Sequence, residues 1–143
     1  MKPFLISSVI SLIAGCLYAT AYPTALGAGW FPILFIAVPL FLWNLERSNF
    51  KKSLFHILLF NVGLNLVGYY WIPATLREFG ELPYLTSVLL GMLFSLILQP
   101  HWWSYAIWKK FRPQWRWQTE RGILVTALIM TMFERYVPQQ FLS

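Results

Sequence analysis

The sequence predicts an all-α, polytopic transmembrane helical bundle of about five spans, formed by a single membrane-embedded domain over residues 1–143. The chain is 58% hydrophobic and only 11% charged, with a mean hydropathy of +0.57, whereas soluble domains carry about 25% charged residues. It also contains 8 Trp, whose rings favour the membrane–water interface. Because so few charges cannot cover the surface of a water-soluble fold, the predicted class is an integral membrane protein.

The apolar stretches of the chain approach the roughly 20 residues that a helix needs to cross a bilayer. They lack the alternation of barrel strands, so helices are the expected form. The predicted spans are residues 4–21, 26–45, 54–72, 84–108 and 122–137, the fifth being short. Pro23 should close the first span, and Pro100 should kink the fourth because it removes a backbone donor.

Basic residues are concentrated in the connections on one side of this predicted bundle. Nine of the 11 lie there, namely Lys2, Arg47, Lys51, Lys52, Lys109, Lys110, Arg112, Arg116 and Arg121. The other two are Arg77 and Arg135. The positive-inside rule therefore predicts a cytoplasmic N-terminus. The net charge of +6 then reflects topology and contact with anionic lipid headgroups, and a nucleic-acid partner is not expected.

The stretch GYYWIPATLREFGELPY, residues 68–84, interrupts the apolar sequence with charges at Arg77, Glu78 and Glu81. It lies between spans three and four and is predicted to be an outer loop, with Pro73 and Pro83 at the ends of the flanking helices. The Tyr and Trp side chains at its start are typical of an aromatic belt at the membrane surface.

Polar and small residues inside spans three and four recur on single helical faces. In span three these are Asn61, Asn65 and Gly68, and in span four Ser87, Gly91 and Ser95. Such residues favour hydrogen bonds between helices and close backbone approach, so they are predicted to be helix-packing positions. For the span-three face, contact with a substrate is the alternative.

The titratable side chains in or near the spans are interpreted one by one. His56 and His101 are expected to be solvated at the inner surface and no metal is predicted, with a proton relay or metal site beside Pro100 as the alternative. Glu134, beside Arg135, has either an ion-pair partner or a snorkelling position. Cys16 excludes an internal disulfide. Ile13-Ala14-Gly15-Cys16 matches a lipoprotein lipobox weakly, so Cys16 is interpreted as a buried thiol, with lipidation as the alternative.

The order of the spans and of several short motifs resembles the N-terminal membrane region of bacterial apolipoprotein N-acyltransferases over nearly the whole chain. The motifs are Ala21-Tyr22-Pro23, Gly29-Trp30-Phe31-Pro32, Gly68-Tyr69-Tyr70-Trp71-Ile72 and Phe79-Gly80-Glu81-Leu82-Pro83, with Glu134-Arg135 near the end. The resemblance implies a multi-pass protein of the bacterial inner membrane and transfer of a phospholipid acyl chain to the N-terminal cysteine amine of lipoproteins. The family performs this reaction with a Glu-Lys-Cys triad in a periplasmic nitrilase-like domain.

No residue of this chain matches that triad, and Cys16, inside a span, is not expected to be the nucleophile. The resemblance instead implies lipid or domain-docking contacts at Trp71, Arg77, Phe79, Gly80 and Glu134, and no cofactor. For Phe79 and Gly80, packing within the loop is the interpretation favoured over direct lipid contact.

The leading expectation is the membrane scaffold portion of a truncated or split N-acyltransferase, not catalytic alone. Its partners would be the phospholipid bilayer and a separate chain carrying the remaining helices and the nitrilase-like domain, and a lipoprotein substrate would bind only with that chain. The alternative is a non-enzymatic, multi-span interaction or assembly protein.

Overall fold

The computed structural model describes residues 2–23, 27 and 29–111, together with residues 122, 124, 125, 127, 128, 131 and 132. Its elements are α1 (Lys2–Ala19), a 3-10 turn (Phe31–Ile33), α2 (Leu34–Glu46), α3 (Phe50–Val67), α4 (Trp71–Gly80), α5 (Tyr84–Leu98) and α6 (Pro100–Phe111). The predicted all-helical fold is confirmed over these residues. The predicted fifth span, 122–137, falls mostly outside the described residues, although the described positions from 122 to 132 are helical.

The lengths of the helices bear on the predicted spans. Among the described residues, no single helix is both long and apolar enough to cross a bilayer unaided. Two consecutive pairs reach that length and composition together, each with a bend. Phe50–Val67 and Trp71–Gly80 meet at 71°, and Tyr84–Leu96 and Pro100–Phe111 meet at 57°. The predicted break at Pro100 is therefore confirmed, whereas the number of spans stays a prediction.

The core joins α1, α2, α3 and α6 through aromatic side chains. The rings of Phe41 and Phe60 stack with centroids 4.3 Å apart. Trp102 packs edge-on against both, at 4.8 Å from Phe41 and 5.2 Å from Phe60. All three side chains are fully buried or nearly so. Edge-to-face and offset-stacked rings stabilise a core beyond the area that they bury, so this cluster fixes how α6 sits on α2 and α3.

Helices α1 and α3 cross at two glycines that leave their backbones in contact. A Cβ atom at Gly15 would lie 2.0 Å from the carbonyl oxygen of Phe60, and one at Gly63 would lie 2.3 Å from that of Leu12. Close approach of this kind is possible only where the side chain is a hydrogen atom. The pair therefore sets the distance between α1 and α3, which the sequence analysis did not predict.

Capping side chains decide where α2 ends and α3 begins. The Asn49 side chain accepts a hydrogen bond from the Lys52 backbone N–H at 3.0 Å, so α3 begins at Phe50 and not at the predicted residue 54. The Lys109 ammonium of α6 donates to the carbonyl oxygens of Glu46 and Ser48 at 2.9 and 2.8 Å. A cation at a helix C-terminus satisfies orphan carbonyls and complements the helix dipole.

The start of α2 also differs from the prediction, because Pro32 lies in a 3-10 turn and the α-helix begins only at Leu34. The segment before this turn packs against the end of α1. The Trp30 backbone N–H donates to the Thr20 carbonyl oxygen at 2.9 Å. A Cβ atom at Gly29 would lie 2.6 Å from the Ala21 carbonyl oxygen. Two of the short motifs, at residues 21–23 and 29–32, therefore meet in space.

The prediction that residues 68–84 form a loop is wrong for ten of them, because Trp71–Gly80 is the helix α4. Pro73 does not end a helix there. It occupies the first turn of α4. The N–H groups of a first turn have no carbonyl partner within the helix, so the missing N–H of proline breaks no helical hydrogen bond. The helix ends where Glu81 adopts a left-handed backbone with φ of +51°. The charges at Arg77 and Glu78 therefore lie on a helix bent away from α3.

Helix α5 contacts α4 through Gly91, so substitutions at Gly91 and at the neighbouring Leu90 should differ in their effect on stability. A Cβ atom at Gly91 would lie 3.2 Å from Pro73 Cγ and 3.3 Å from its Cδ, so a leucine there must push the helices apart. We expect Gly91→Leu to lower stability by about 1–3 kcal/mol, the usual range for overpacking. Leu90→Ala should cost less, because Leu90 is 39% exposed. Thermal unfolding in detergent measures both variants, and equal midpoints would contradict this packing.

Candidate functional site

A cavity of about 660 Å³ lies where the end of α3 meets α4 and α5. We call it the Arg77 cavity. Its lining comprises Asn65, Leu66, Tyr69, Tyr70, Pro73, Ala74, Arg77, Glu78, Tyr84, Val88 and Met92. The lining thus combines three tyrosines and an asparagine with a cation and a carboxylate. Such a mixture of apolar walls and a few polar groups is typical of a ligand-binding cavity.

Helix α4 separates this cavity from an apolar groove on its other face. The groove has a volume of about 390 Å³ and is lined by Trp71, Ile72, Thr75, Leu76, Leu90, Leu93 and Phe94. Residues 73, 74, 77 and 78 of α4 line the cavity, while 71, 72, 75 and 76 line the groove, as expected from 3.6 residues per turn. The short helix is therefore amphipathic, with its charges and its large apolar side chains on different faces.

The structure places the sequence-predicted contact residues at different points of α4. Arg77 lines the cavity and Trp71 lines the groove, where it is half exposed. Phe79 is 81% exposed and lines neither. Gly80 is exposed at the last position of the helix. Glu134 lies outside the described residues. Glu78, which was not singled out as a contact residue, joins Arg77 in the cavity lining.

The charges of the cavity lining are those of two exposed side chains. Arg77 and Glu78 are both exposed, and neither has an ion-pair partner among the described residues. As neighbours in a helix they do not face each other. The guanidinium of Arg77 therefore keeps planar N–H donors that suit a phosphate or carboxylate.

The predicted packing residues of α3 make contacts of two kinds. The Asn65 side chain donates to the Ser95 hydroxyl of α5 and, at 2.8 Å, to the Asn61 carbonyl oxygen. Asn61 is buried, and its side chain donates to the Ile57 carbonyl oxygen of its own helix at 2.9 Å. Gly68 ends α3 against α1, because a Cβ atom there would lie 3.3 Å from Ala19 Cβ. Asn65 thus links α3 to α5 at the edge of the cavity.

The small residues of α5 are buried together on one face. Ser87 and Ser95 have no exposed surface, and Gly91 between them is also buried. The Ser87 hydroxyl donates to the Pro83 carbonyl oxygen at 3.2 Å and so stays within its own helix. Ser95 contributes to the contact between helices through Asn65. This face is where α5 lies against α3 and α4.

The Cys and His side chains outside the cavity lie at separate places in the described part of the fold. Cys16 is half buried in α1, with its thiol 3.6 Å from the Gly63 carbonyl oxygen. The expectation that both histidines are solvated is wrong: His56 has no exposed surface and His101 is 5% exposed. No group of three or more His, Cys, Asp or Glu in the described part of the chain could hold a metal ion.

The described residues thus form a helical domain with aromatic and polar side chains gathered at the end of α3. Residues 14–140 match the apolipoprotein N-acyltransferase N-terminal domain, and the chain belongs to this family. The family predicted from the motifs is thereby confirmed.

Two curated relatives give the extent of the likeness. The chain is 28% identical over 139 residues to the apolipoprotein N-acyltransferase of Bdellovibrio bacteriovorus, which covers 92% of this chain and 24% of that protein. It is 43% identical over 63 residues to the apolipoprotein N-acyltransferase of Shewanella oneidensis, which covers 44% of this chain and 12% of that protein. The chain therefore spans about a quarter or less of these relatives. No solved structure matches it.

Proposed function

We propose that residues 1–143 form the membrane-embedded N-terminal domain of an apolipoprotein N-acyltransferase and act as a scaffold that guides phospholipid toward a separate catalytic part. The observation that carries the proposal is the match to that domain over residues 14–140. The apolar surface of the fold supports a membrane location, since Phe35, Leu5 and Leu85 are each about two-thirds to three-quarters exposed. In water, these exposed side chains would contribute none of the apolar burial that stabilises folded domains.

The topology we propose follows the distribution of charge along the helices. Lys52, Lys109 and Lys110 lie near one end of the bundle, where the Lys110 ammonium is 4.9 Å from the Phe50 ring centroid. Arg77 and Glu78 lie beyond the opposite end of α3. By the positive-inside rule, the basic end faces the cytoplasm and the Arg77 cavity faces the outer side of a bacterial inner membrane. The two bent helix pairs would then be broken spans.

Helix α4 is the element that we assign to lipid entry. Its apolar groove and the exposed rings of Trp71 and Phe79 offer surfaces for acyl chains at the membrane surface. On the other face, Arg77 offers N–H donors for the phosphate of a phospholipid. The catalytic part would dock over this helix, and only the assembly would act on a lipoprotein.

Labelling of single cysteines tests this topology. In a Cys16→Ser background, Glu78→Cys should react with a membrane-impermeant thiol reagent in intact cells, because Glu78 is exposed on the proposed outer end. Asn49→Cys should react only after the membrane is opened. Asn49 is exposed too, and loss of its cap costs about 1 kcal/mol, too little to change the topology. Labelling of Asn49→Cys but not of Glu78→Cys in intact cells would overturn the orientation.

A further inference from the structure

A second cavity, of about 460 Å³, lies at the opposite end of the bundle from Arg77. We call it the Arg47 cavity. Helices α1, α2 and α3 contribute its polar lining, which consists of Ser7, Asn44, Arg47, Ser48, Lys52 and His56. Its apolar lining includes Phe4, Ile6 and Trp43. The function proposed above makes no use of this cavity.

The two cations of the Arg47 cavity are exposed and lie over aromatic rings. The Arg47 guanidinium carbon lies 4.0 Å from the Trp43 ring centroid, and the Lys52 ammonium lies 5.9 Å from that of Phe4. Neither cation forms an ion pair with any residue in the described part of the chain. The carboxylate of Glu46, next to Arg47, accepts the hydrogen bond of Tyr105 instead. Because a ring contact leaves N–H donors unused, both side chains can still bind an anion.

The buried side of the cavity is a fixed polar network. The Asn44 side chain donates to the Ser7 carbonyl oxygen at 2.8 Å and to the Ser11 hydroxyl at 2.6 Å. His56 Nε2 lies 3.2 Å from the Ser7 hydroxyl oxygen. His56 Nδ1 is buried without a partner among the described residues, although buried polar atoms are normally paired. These side chains are therefore positioned before any ligand arrives.

The apolar side of the cavity is continuous with the outer surface of α1. Ile6 and Phe4 line the cavity and are 60% and 42% exposed. A soluble anion would gain nothing from these side chains, whereas an amphiphile would place its acyl chain along them. Basic cavities between membrane helices near the cytoplasmic side are suited to anionic headgroups.

We propose that the Arg47 cavity binds an anionic phospholipid, with its phosphate at Arg47 and Lys52 and an acyl chain along Phe4 and Ile6. The inference rests on the membrane location proposed above. It concerns the end of the bundle opposite the Arg77 cavity, so this lipid is a bound component of the fold and not a lipid entering at α4. The charge of the headgroup is what selects it.

Native mass spectrometry in detergent tests the proposal with acyl-matched phosphatidylglycerol and phosphatidylcholine. The chain should retain phosphatidylglycerol preferentially, and Arg47→Gln/Lys52→Gln should lower that affinity by about tenfold or more through loss of charge-assisted contacts. Lys51→Gln is the matched control, because Lys51 is exposed, adjacent to Lys52 and outside the cavity lining. It should bind like the unaltered chain. Unchanged thermal unfolding of the double variant excludes misfolding.

Several outcomes would overturn the proposal. Equal retention of the two lipids would remove headgroup selection, and equal losses in Lys51→Gln and the double variant would indicate diffuse attraction only. Displacement of phosphatidylglycerol by excess inorganic phosphate would identify a soluble anion as the ligand. A chain that is extracted from membranes by alkali without detergent would instead contradict the membrane location, so the two failures can be told apart.

Discussion

Gly63→Ala is expected to separate α1 from α3 and to destabilise the domain severely. The added Cβ atom would lie 2.3 Å from the Leu12 carbonyl oxygen and 3.0 Å from the Cys16 backbone nitrogen. Both contacts are with backbone atoms of α1, so no side-chain rotation can relieve them. Overpacking usually costs about 1–3 kcal/mol, and a backbone clash belongs at or above the upper end of that range.

Thermal unfolding in detergent, followed by loss of the monodisperse peak in size-exclusion chromatography, measures this effect. Gly80→Ala is the matched control. Its Cβ atom would lie 3.5 Å from Leu82 Cγ, an ordinary contact, and alanine favours helix over glycine by about 1 kcal/mol. The control should unfold at the same temperature or slightly higher. Equal unfolding of Gly63→Ala and Gly80→Ala would mean that α1 and α3 do not cross at Gly63.

Gly91 can be predicted as a packing residue from the sequence, whereas Gly63 cannot. The four-residue spacing of Ser87, Gly91 and Ser95 predicted a packing face, and these residues are buried in α5. Gly63 is not part of the predicted packing faces of α3 and α5. Its role depends on which helix lies beside α3 and at what angle, and that angle is a property of the whole bundle.

Helix α4 was missed for a different reason, since its sequence does carry a signal. Apolar side chains at Trp71, Ile72, Leu76 and Phe79 recur at helical spacing around Arg77. The charges and Pro73 make this segment less apolar than the longer runs on either side, and this contrast favours a loop. Proline in a first turn is compatible with a helix, so the segment could be helical throughout.

The candidate site was only partly predictable. Arg77 could be predicted as a contact residue, because a charged residue between apolar spans is a candidate for a functional role. The sequence does not predict that Asn65 of α3 lines the same cavity as Arg77. The two residues come together only because α3 and α4 meet at 71°. The burial of His56 likewise depends on Ser7 of α1 lying beside it. The position of His56 along its span does not predict this contact.

The second large effect concerns catalysis: residues 1–143 alone should not N-acylate a lipoprotein. Transfer through a thioester requires a thiolate, a base to generate it and donors for the oxyanion. The thiol of Cys16 is half buried at the contact of α1 with α3, where it lies 3.6 Å from the Gly63 carbonyl oxygen, and no His, Asp or Glu among the described residues is its hydrogen-bond partner. The proposed function places this set in the separate catalytic part. Removal of a whole catalytic set lowers rates on the order of 10⁶-fold, so no product is expected.

The contribution of the domain should become visible when the catalytic part is restored. For this purpose, residues 1–143 are co-expressed with the part of the Bdellovibrio bacteriovorus relative that follows its matched region. The proposed function has the catalytic part dock over α4, so we expect N-acylated lipoprotein when both chains are present. Failure of the co-expressed pair to form product would favour the alternative of a non-enzymatic interaction protein.

The most direct test of the proposed scaffold role is mass spectrometry of lipoprotein N-termini in cells depleted of their own N-acyltransferase. With residues 1–143 alone, the account predicts lipoproteins that carry only the diacylglyceryl group. With the co-expressed catalytic part, it predicts a third acyl chain on the cysteine amine. Triacylated lipoproteins in cells that express residues 1–143 alone would contradict the account, most directly if they persisted in the Cys16→Ser variant.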